Sequence, residues 1–210
     1  GYSVAIHGGT IVVGAWGDDT DNGNDSGSAY VFTRISTDGG TGWKQQAKLL
    51  PKDGAAYDRF GGTVAIYGDA IVVGADDNDV NGDNSGSAYV FTRDGTDDTG
   101  WRQQAQLLAK DGGWGDWFGE SVAIYGDTIV VGAELDDDNG YNSGSAYVFA
   151  RDSTSGTGWR QQTKLLPKDG AEWDRFGSTV AMYGDTVVVG ASADDDNGDY
   201  SGSAYTFDFC

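Results

Sequence analysis

Four times along its 210 residues the chain returns to one pattern, and self-similarity at a fixed spacing excludes any fold built from unrelated elements. Val-Ala-Ile begins at Val4, Val64 and Val122 and comes back as Val-Ala-Met at Val180. Val-Val-Gly-Ala ends at Ala15, Ala75, Ala133 and Ala191, and Gly-Ser-Ala-Tyr begins at Gly27, Gly86, Gly144 and Gly202. A fourth segment, Trp-Lys/Arg-Gln-Gln, begins at Trp43, Trp101 and Trp159 only, so the last repeat lacks it. The repeats divide the chain at approximately 1–59, 60–117, 118–175 and 176–210.

Each segment reads as a short β-strand bounded by Gly, Asp, Asn or Pro. Helix is nearly excluded as a framework, because 35 residues are Gly, 30 are Asp and only Glu120, Glu134 and Glu172 are Glu. Gly68-Asp69, Gly126-Asp127 and Gly184-Asp185, with Gly8-Gly9 as a variant, separate the first two strands of each repeat. A Gly at the first central position suits a type II′ hairpin, so these strands pair antiparallel. Ile-Val-Val-Gly-Ala is continuously apolar, Ser-Ala-Tyr-Val-Phe-Thr-Arg alternates, and Trp-Arg-Gln-Gln-Ala-Gln-Leu-Leu begins polar. Burial therefore falls from an inner strand to an outer one. Four antiparallel strands per unit with that gradient predict the stacked blades of a β-propeller; an open solenoid, the rival, would use shorter coils and show no gradient. Val72, Val73, Val130, Val131, Val188 and Val189 are expected to be buried between blades.

Thirteen Lys and Arg against 33 Asp and Glu give a formal charge of −20. Nucleic acid, whose phosphates need a basic face, is excluded as a partner, and no apolar run approaches the ~20 residues of a membrane-spanning helix. The single Cys, Cys210, has no partner for an intramolecular disulfide.

Phe60-Gly61-Gly62 followed by Val72-Val73-Gly74-Ala75 resembles the FG-GAP repeat, the blade unit of the integrin α-subunit propeller. Phe118-Gly119 with Gly132-Ala133, and Phe176-Gly177 with Gly190-Ala191, repeat the likeness, and Gly1-Tyr2-Ser3-Val4 looks like a blade start after its Phe. The Pro of the family's Gly-Ala-Pro is absent. The resemblance implies an all-β propeller of four-stranded blades that serves as an extracellular or cell-surface adhesion, binding or structural module. Its partner would be a protein or a glycan at the cell surface or in the matrix; a carbohydrate-binding propeller is the alternative. The family's calcium loops lie between the first and second strands, where this chain has only Gly-Asp.

The carboxylates gather instead between the second and third strands. In the second repeat Asp77, Asp79, Asn81 and Gly82 match the start of a calcium loop, with oxygens at positions 1, 3 and 5 and Gly at 6, although no Glu occupies position 12. The third and fourth repeats offer Asp136 with Asp138 and Asp194 with Asp196. Two readings stand side by side: calcium cages, or solvated turns in which Asp and Asn bond to nearby backbone. Trp43, Trp101 and Trp159 recur at one blade position and are expected to be packing anchors, whereas Trp114 and Trp173, on loops that vary among repeats, are candidate ligand contacts. His7 stands where other repeats have Tyr, and no Ser-His-Asp or Cys-His device is visible, so catalysis is not expected. The missing fourth segment leaves an open edge on the last blade, expected to be completed by upstream sequence or by another chain.

Overall fold

A computed structural model describes residues 1–37, 40–93 and 100–209, so Cys210 lies outside the described residues. Each repeat forms one antiparallel sheet whose strands lie side by side in chain order. The first blade comprises β1 (Ser3–His7), β2 (Thr10–Ala15), β3 (Ser28–Thr37) and β4 (Gly40–Leu49). The second comprises β5 (Val64–Tyr67), β6 (Ala70–Ala75), β7 (Ser87–Arg93) and β8 (Trp101–Leu107). In the third are β9 (Phe118–Tyr125), β10 (Thr128–Ala133), β11 (Ser145–Arg151) and β12 (Trp159–Leu165). The fourth has three strands, β13 (Phe176–Tyr183), β14 (Thr186–Ala191) and β15 (Ser203–Asp208). The hairpin turns are of the expected kind, with Gly68, Gly126 and Gly184 at φ 57°, 58° and 60° and no positive φ at the following Asp.

Blades stack face to face, β1 on β5, β5 on β9 and β9 on β13, and the core is correspondingly divided into three layers, one per seam. Phe60, Phe118 and Phe176 are fully buried, and each meets two aromatic rings of its own blade edge-on, as Phe118 meets Tyr147 and Phe149. Behind each Phe the chain crosses the seam. The carbonyls of Gly61, Gly119 and Gly177 press on the Cα of Gly14, Gly74 and Gly132 in the preceding blade so closely that a Cβ there would overlap them. Ser3 and Ser121 donate hydroxyl bonds to the Gly61 and Gly177 carbonyls at 3.1 and 2.7 Å.

Five of the six valines expected to be buried are so, but Val188 is 37% exposed. It points from the outer face of the fourth blade, against which no further blade packs among the described residues, and the sequence carries no local mark of that position. Trp43 is a second correction: Trp101 and Trp159 are buried anchors, but Trp43 is 45% exposed, since among the described residues no blade packs on that face of the first. His7 does fill a structural place. Its ring stacks on Tyr67, Tyr67 on Tyr125 and Tyr125 on Tyr183, with centroids 4.8, 4.6 and 5.1 Å apart, one rung per blade at the hairpin end.

The third and fourth strands share an irregularity. Pairing shifts by one residue beside Val31, Val90 and Val148, leaving Gln46, Gln104 and Gln162 as the extra residues of β-bulges. Gln46 and Gln104 use the bulge to reach across the seam, where their Oε1 atoms accept the Nε1–H of Trp101 and Trp159 at 3.4 Å.

Candidate functional site

Strand direction sorts the connections. The hairpins between first and second strands lie at one end of the blades, and the loops that follow the second and fourth strands lie at the other. There they pack on each other: Tyr57 N–H donates to the Asn24 carbonyl, Trp117 N–H to Asn84 and Trp173 N–H to Tyr141, at 2.9, 3.2 and 2.9 Å. These bonds hold Tyr57, Trp117 and Trp173 at φ 73°, 57° and 74°, a left-handed region that bulky side chains rarely adopt. The strained backbone turns several of the rings outward. Trp114 is 75% exposed, and Tyr57, Tyr141, Trp173 and Tyr200 are exposed as well, with Tyr141 and Trp173 paired edge-on at 4.7 Å. Trp114 and Trp173 thus sit where the sequence placed them, on the loop end; Tyr141 and Tyr200 join them from the acidic loops, a contribution hidden by their turn-like surroundings.

The acidic residues are engaged by protein donors. Asp136 is buried and accepts the Ser145 and Tyr147 hydroxyls at 2.7 and 2.9 Å, while Lys164 pairs with Asp136, Asp138 and Asp111 at 2.9, 2.6 and 3.0 Å. Asp194 accepts Tyr205 at 2.8 Å and the backbone N–H of Asp196 at 3.1 Å. Asp77 turns to Arg59 at 2.8 Å, Asp79 receives Asn84 N–H at 2.7 Å, and Asn81 N–H donates to Ser85 at 3.0 Å. Burial pushes the Asp77 carboxyl up, and Arg59 opposes the shift. The residues of the second loop therefore do not converge as a calcium cage in this geometry, and among the described residues no three His, Cys, Asp or Glu side chains are grouped to hold a metal. One position of the loop is a framework group throughout. Asp18 with Lys48, Asn78 with Ser87 and Asp136 with Lys164 fasten the start of the third strand in successive blades.

A carboxyl cluster that the sequence reading passed over lies where the first strands begin. Asp76 and Glu134, the first residues after two of the second strands, are buried, and Glu120 follows Phe118-Gly119. Glu120 and Asp76 line one cavity and interact electrostatically. Burial, the Asp76 charge and the Glu134 charge push the Glu120 carboxyl up to about 8, so at neutral pH it holds its proton. Arg175 approaches Glu134 at 3.7 Å. With Tyr2, Trp16, Arg59 and Trp117, Asp76 and Glu120 line a cavity of about 420 Å³ that draws on all four blades, and Arg59 lies over the Trp16 ring at 5.2 Å. Two of the three Glu in this chain meet here, and their rarity was the signal available in the sequence.

The FG-GAP repeat family model matches residues 1–32, 43–91, 101–149 and 159–207. Among solved structures, Sqt1 of Saccharomyces cerevisiae aligns over 92% of this chain and 42% of its own at 11% identity, TM-score 0.49. Sqt1 of Chaetomium thermophilum, bound to the N-terminus of the ribosomal protein L10, aligns over 91% of this chain and 58% of its own at 14% identity, TM-score 0.50. The chain spans about half the length of these proteins, and the likeness is one of fold. No curated protein matches it.

Proposed function

The chain belongs to the FG-GAP repeat family, and from that membership we propose that it is a non-catalytic binding module of the cell surface or extracellular matrix, meeting its partner with the loop end of the blades. The observation that carries this reading is the set of exposed rings there, Tyr57, Trp114, Tyr141, Trp173 and Tyr200, of which Tyr57, Tyr141 and Trp173 are tied by backbone–backbone bonds between loops. Rigid aromatic side chains give large contact area at small entropic cost, which is what a recognition surface needs. Aspartates between them set the charge that a partner must match, favouring basic proteins and neutral glycans over anionic ones. Calcium would act here only by displacing a protein donor, Arg59 from Asp77 above all.

The carboxyl pair supports a non-catalytic reading. Hydrolysis of a glycoside by two carboxyls needs one of them ionised at the sugar with the two roughly 5–9.5 Å apart, whereas Asp76 and Glu120 sit in one buried cluster in which both carboxyls are pushed up. His7, the one imidazole, stacks at the opposite end of the blades.

A glycan is favoured as the partner by one feature, the Tyr141–Trp173 pair, because an exposed ring edge-on to a second ring forms a platform for a sugar face. The test is immobilised protein offered to cells, matrix proteins and a glycan array, with Trp114→Ala and Trp173→Ala compared with wild type. Adhesion or capture lost in both variants at an unchanged melting temperature supports the loop-end reading; loss of glycan signal on Trp173→Ala alone supports the sugar platform. Full activity in both variants rejects the surface.

A further inference from the structure

At each seam the residue before the buried Phe comes up beside the residue that follows the second strand of the preceding blade. At the first seam the pair is Arg59 and Trp16, with the guanidinium 5.2 Å over the ring, and at the third it is Arg175 and Glu134 at 3.7 Å. The middle seam has the acid without the base: Asp76 follows β6, and Trp117 stands where the seams on either side place Arg. Asp76 is only 7% exposed, and among the described residues no cation and no N–H of another residue is paired with its carboxylate. The side chain that faces it is a second carboxyl, Glu120. A buried carboxylate in that position is expensive, and its retention calls for a physical explanation.

The cavity of about 420 Å³ onto which Asp76 opens offers acceptors. Ser121 and Ser178 donate their hydroxyl hydrogens to the Gly177 and Gly190 carbonyls at 2.7 and 3.3 Å, which leaves only lone pairs for a molecule bound there. Arg59, the cation in the lining, is engaged by Asp77 at 2.8 Å and by the Trp16 ring. An occupant must therefore bring both donors and positive charge. Three acidic side chains close enough to hold a metal are not found among the described residues, so an organic cation fits better than an ion. The molecule already holds one ammonium in such a setting. Lys164 Nζ gathers Asp136, Asp138 and Asp111 at 2.9, 2.6 and 3.0 Å and lies 5.0 Å from the centroid of the Tyr147 ring.

We propose that the mouth of the middle seam binds a primary alkylammonium group, which takes the place that Arg occupies at the seams on either side. The ammonium donates to Asp76 and Glu120, and its methylene stem lies along Trp117. Both carboxyls belong to the inner blades, each of which has a neighbour on both faces. Glu120 is faced by Asp76 and Asp77 from the loop after β6 and by Glu134 from the loop after β10, with Arg59 in the same lining and Arg175 beside Glu134. A positive charge entering this group of acids expels the proton that Glu120 holds at neutral pH, so binding releases a proton and strengthens as pH rises. A lysine side chain of a partner and a free amine share this chemistry. Tyr57, Trp114, Tyr141, Trp173 and Tyr200 do not line the cavity, so the inference does not rest on the exposed rings of the loop end.

The test is calorimetry on the full chain at pH 7 and pH 9 with n-butylammonium, Nα-acetyl-lysine methylamide and spermidine. One-to-one binding is expected, tighter at pH 9, with proton release at pH 7 read from buffers of different ionisation heat. Asp76→Asn should weaken binding at least about tenfold, and Glu120→Gln should bind without releasing a proton. Trp117→Arg copies the flanking seams, supplies the missing cation from within and should abolish binding in a chain that melts no lower than wild type. Trp114→Ala should bind as wild type does, which separates this site from the ring surface. Tighter binding of the lysine derivative than of spermidine assigns the site to a partner's side chain, and the reverse order assigns it to a free amine; either supports the proposal. Absence of binding at millimolar amine, binding indifferent to Asp76→Asn and Trp117→Arg, or tighter binding of n-butylguanidinium or magnesium overturns it.

Discussion

Replacing Glu120 by Gln should stabilise the protein in alkaline solution and leave it unchanged in acid. The unfolded carboxyl ionises near 4.5, whereas in the folded protein burial and the neighbouring Asp76 and Glu134 charges hold the proton up to about 8. Below the lower value both states are protonated, and Glu120 contributes nothing to the pH dependence. Between the two values the unfolded chain loses its proton while the folded one keeps it, so stability falls as pH rises; above about 8 the loss is complete. At ~1.4 kcal/mol per pH unit the gap sets an upper bound near 5 kcal/mol. Glu120 is only partly buried, and solvent screening brings the expected value to about 2 kcal/mol. Gln keeps the shape of the protonated carboxyl and removes the charge, so wild type and variant should melt together at pH 4. At pH 9 the variant should melt roughly 4–8 °C higher. Circular dichroism melts at pH 4, 7 and 9, supported by urea titrations, provide the measurement. A constant offset at all three pH values, or a wild type more stable than the variant at pH 9, would refute the argument that an ionising carboxyl is confined at the blade mouth.

Val131→Asp should cost several kcal/mol by placing a charge in a closed seam, whereas Val188→Asp should cost under ~1 kcal/mol because that face is open; similar melting losses in the two variants would contradict the seam assignment. Lys164→Gln should lower stability by about 3 kcal/mol by stranding the buried Asp136, and adding Asp136→Asn, which recreates the Asn78–Gln106 pairing, should restore most of it in urea melts. Addition of calcium against chelator should move the melting temperature by less than about a degree, since Asp77 and Asp79 are engaged by Arg59 and Asn84; a rise of several degrees would show that the loop after Ala75 rearranges around the ion.

The repeat made the blades legible because one unit's ambiguity is resolved by three others: Gly68-Asp69 alone is a weak turn signal, but four turns in register with four valine runs are not. The site was legible only in part. Trp114 and Trp173 stood out as aromatics that change between otherwise constant units, and they do face outward. Asp136 and Asp194 stood out as cation ligands from their neighbours along the loop, and the protein groups they bond to, Tyr147, Lys164 and Tyr205, come from strands later in the chain. Glu120 and Asp76 are 44 positions apart and meet only because one blade's first strand is laid against the previous blade's second. Val188 and Trp43 obey the repeat in sequence and depart from it in space. Burial in a stacked array belongs to the neighbour, and end units have one neighbour fewer.

Where Phe-Gly crosses between blades, main chain rests on main chain, the Gly119 carbonyl against Gly74 and the Gly177 carbonyl against Gly132. No side chain intervenes, so as long as these positions stay Gly the distance and tilt from one blade to the next are set by peptide geometry. The seam therefore works as a fixed joint, and substitutions in the aliphatic layers around it can loosen or tighten the stack while leaving its curvature alone. A lineage carrying such a joint can copy a unit and insert it in tandem without fitting new shapes to each other. The side chains of the loop ends, whose mutual bonds are made largely by backbone, are then free to diverge from one copy to the next, as Tyr57, Trp114 and Glu172 have done.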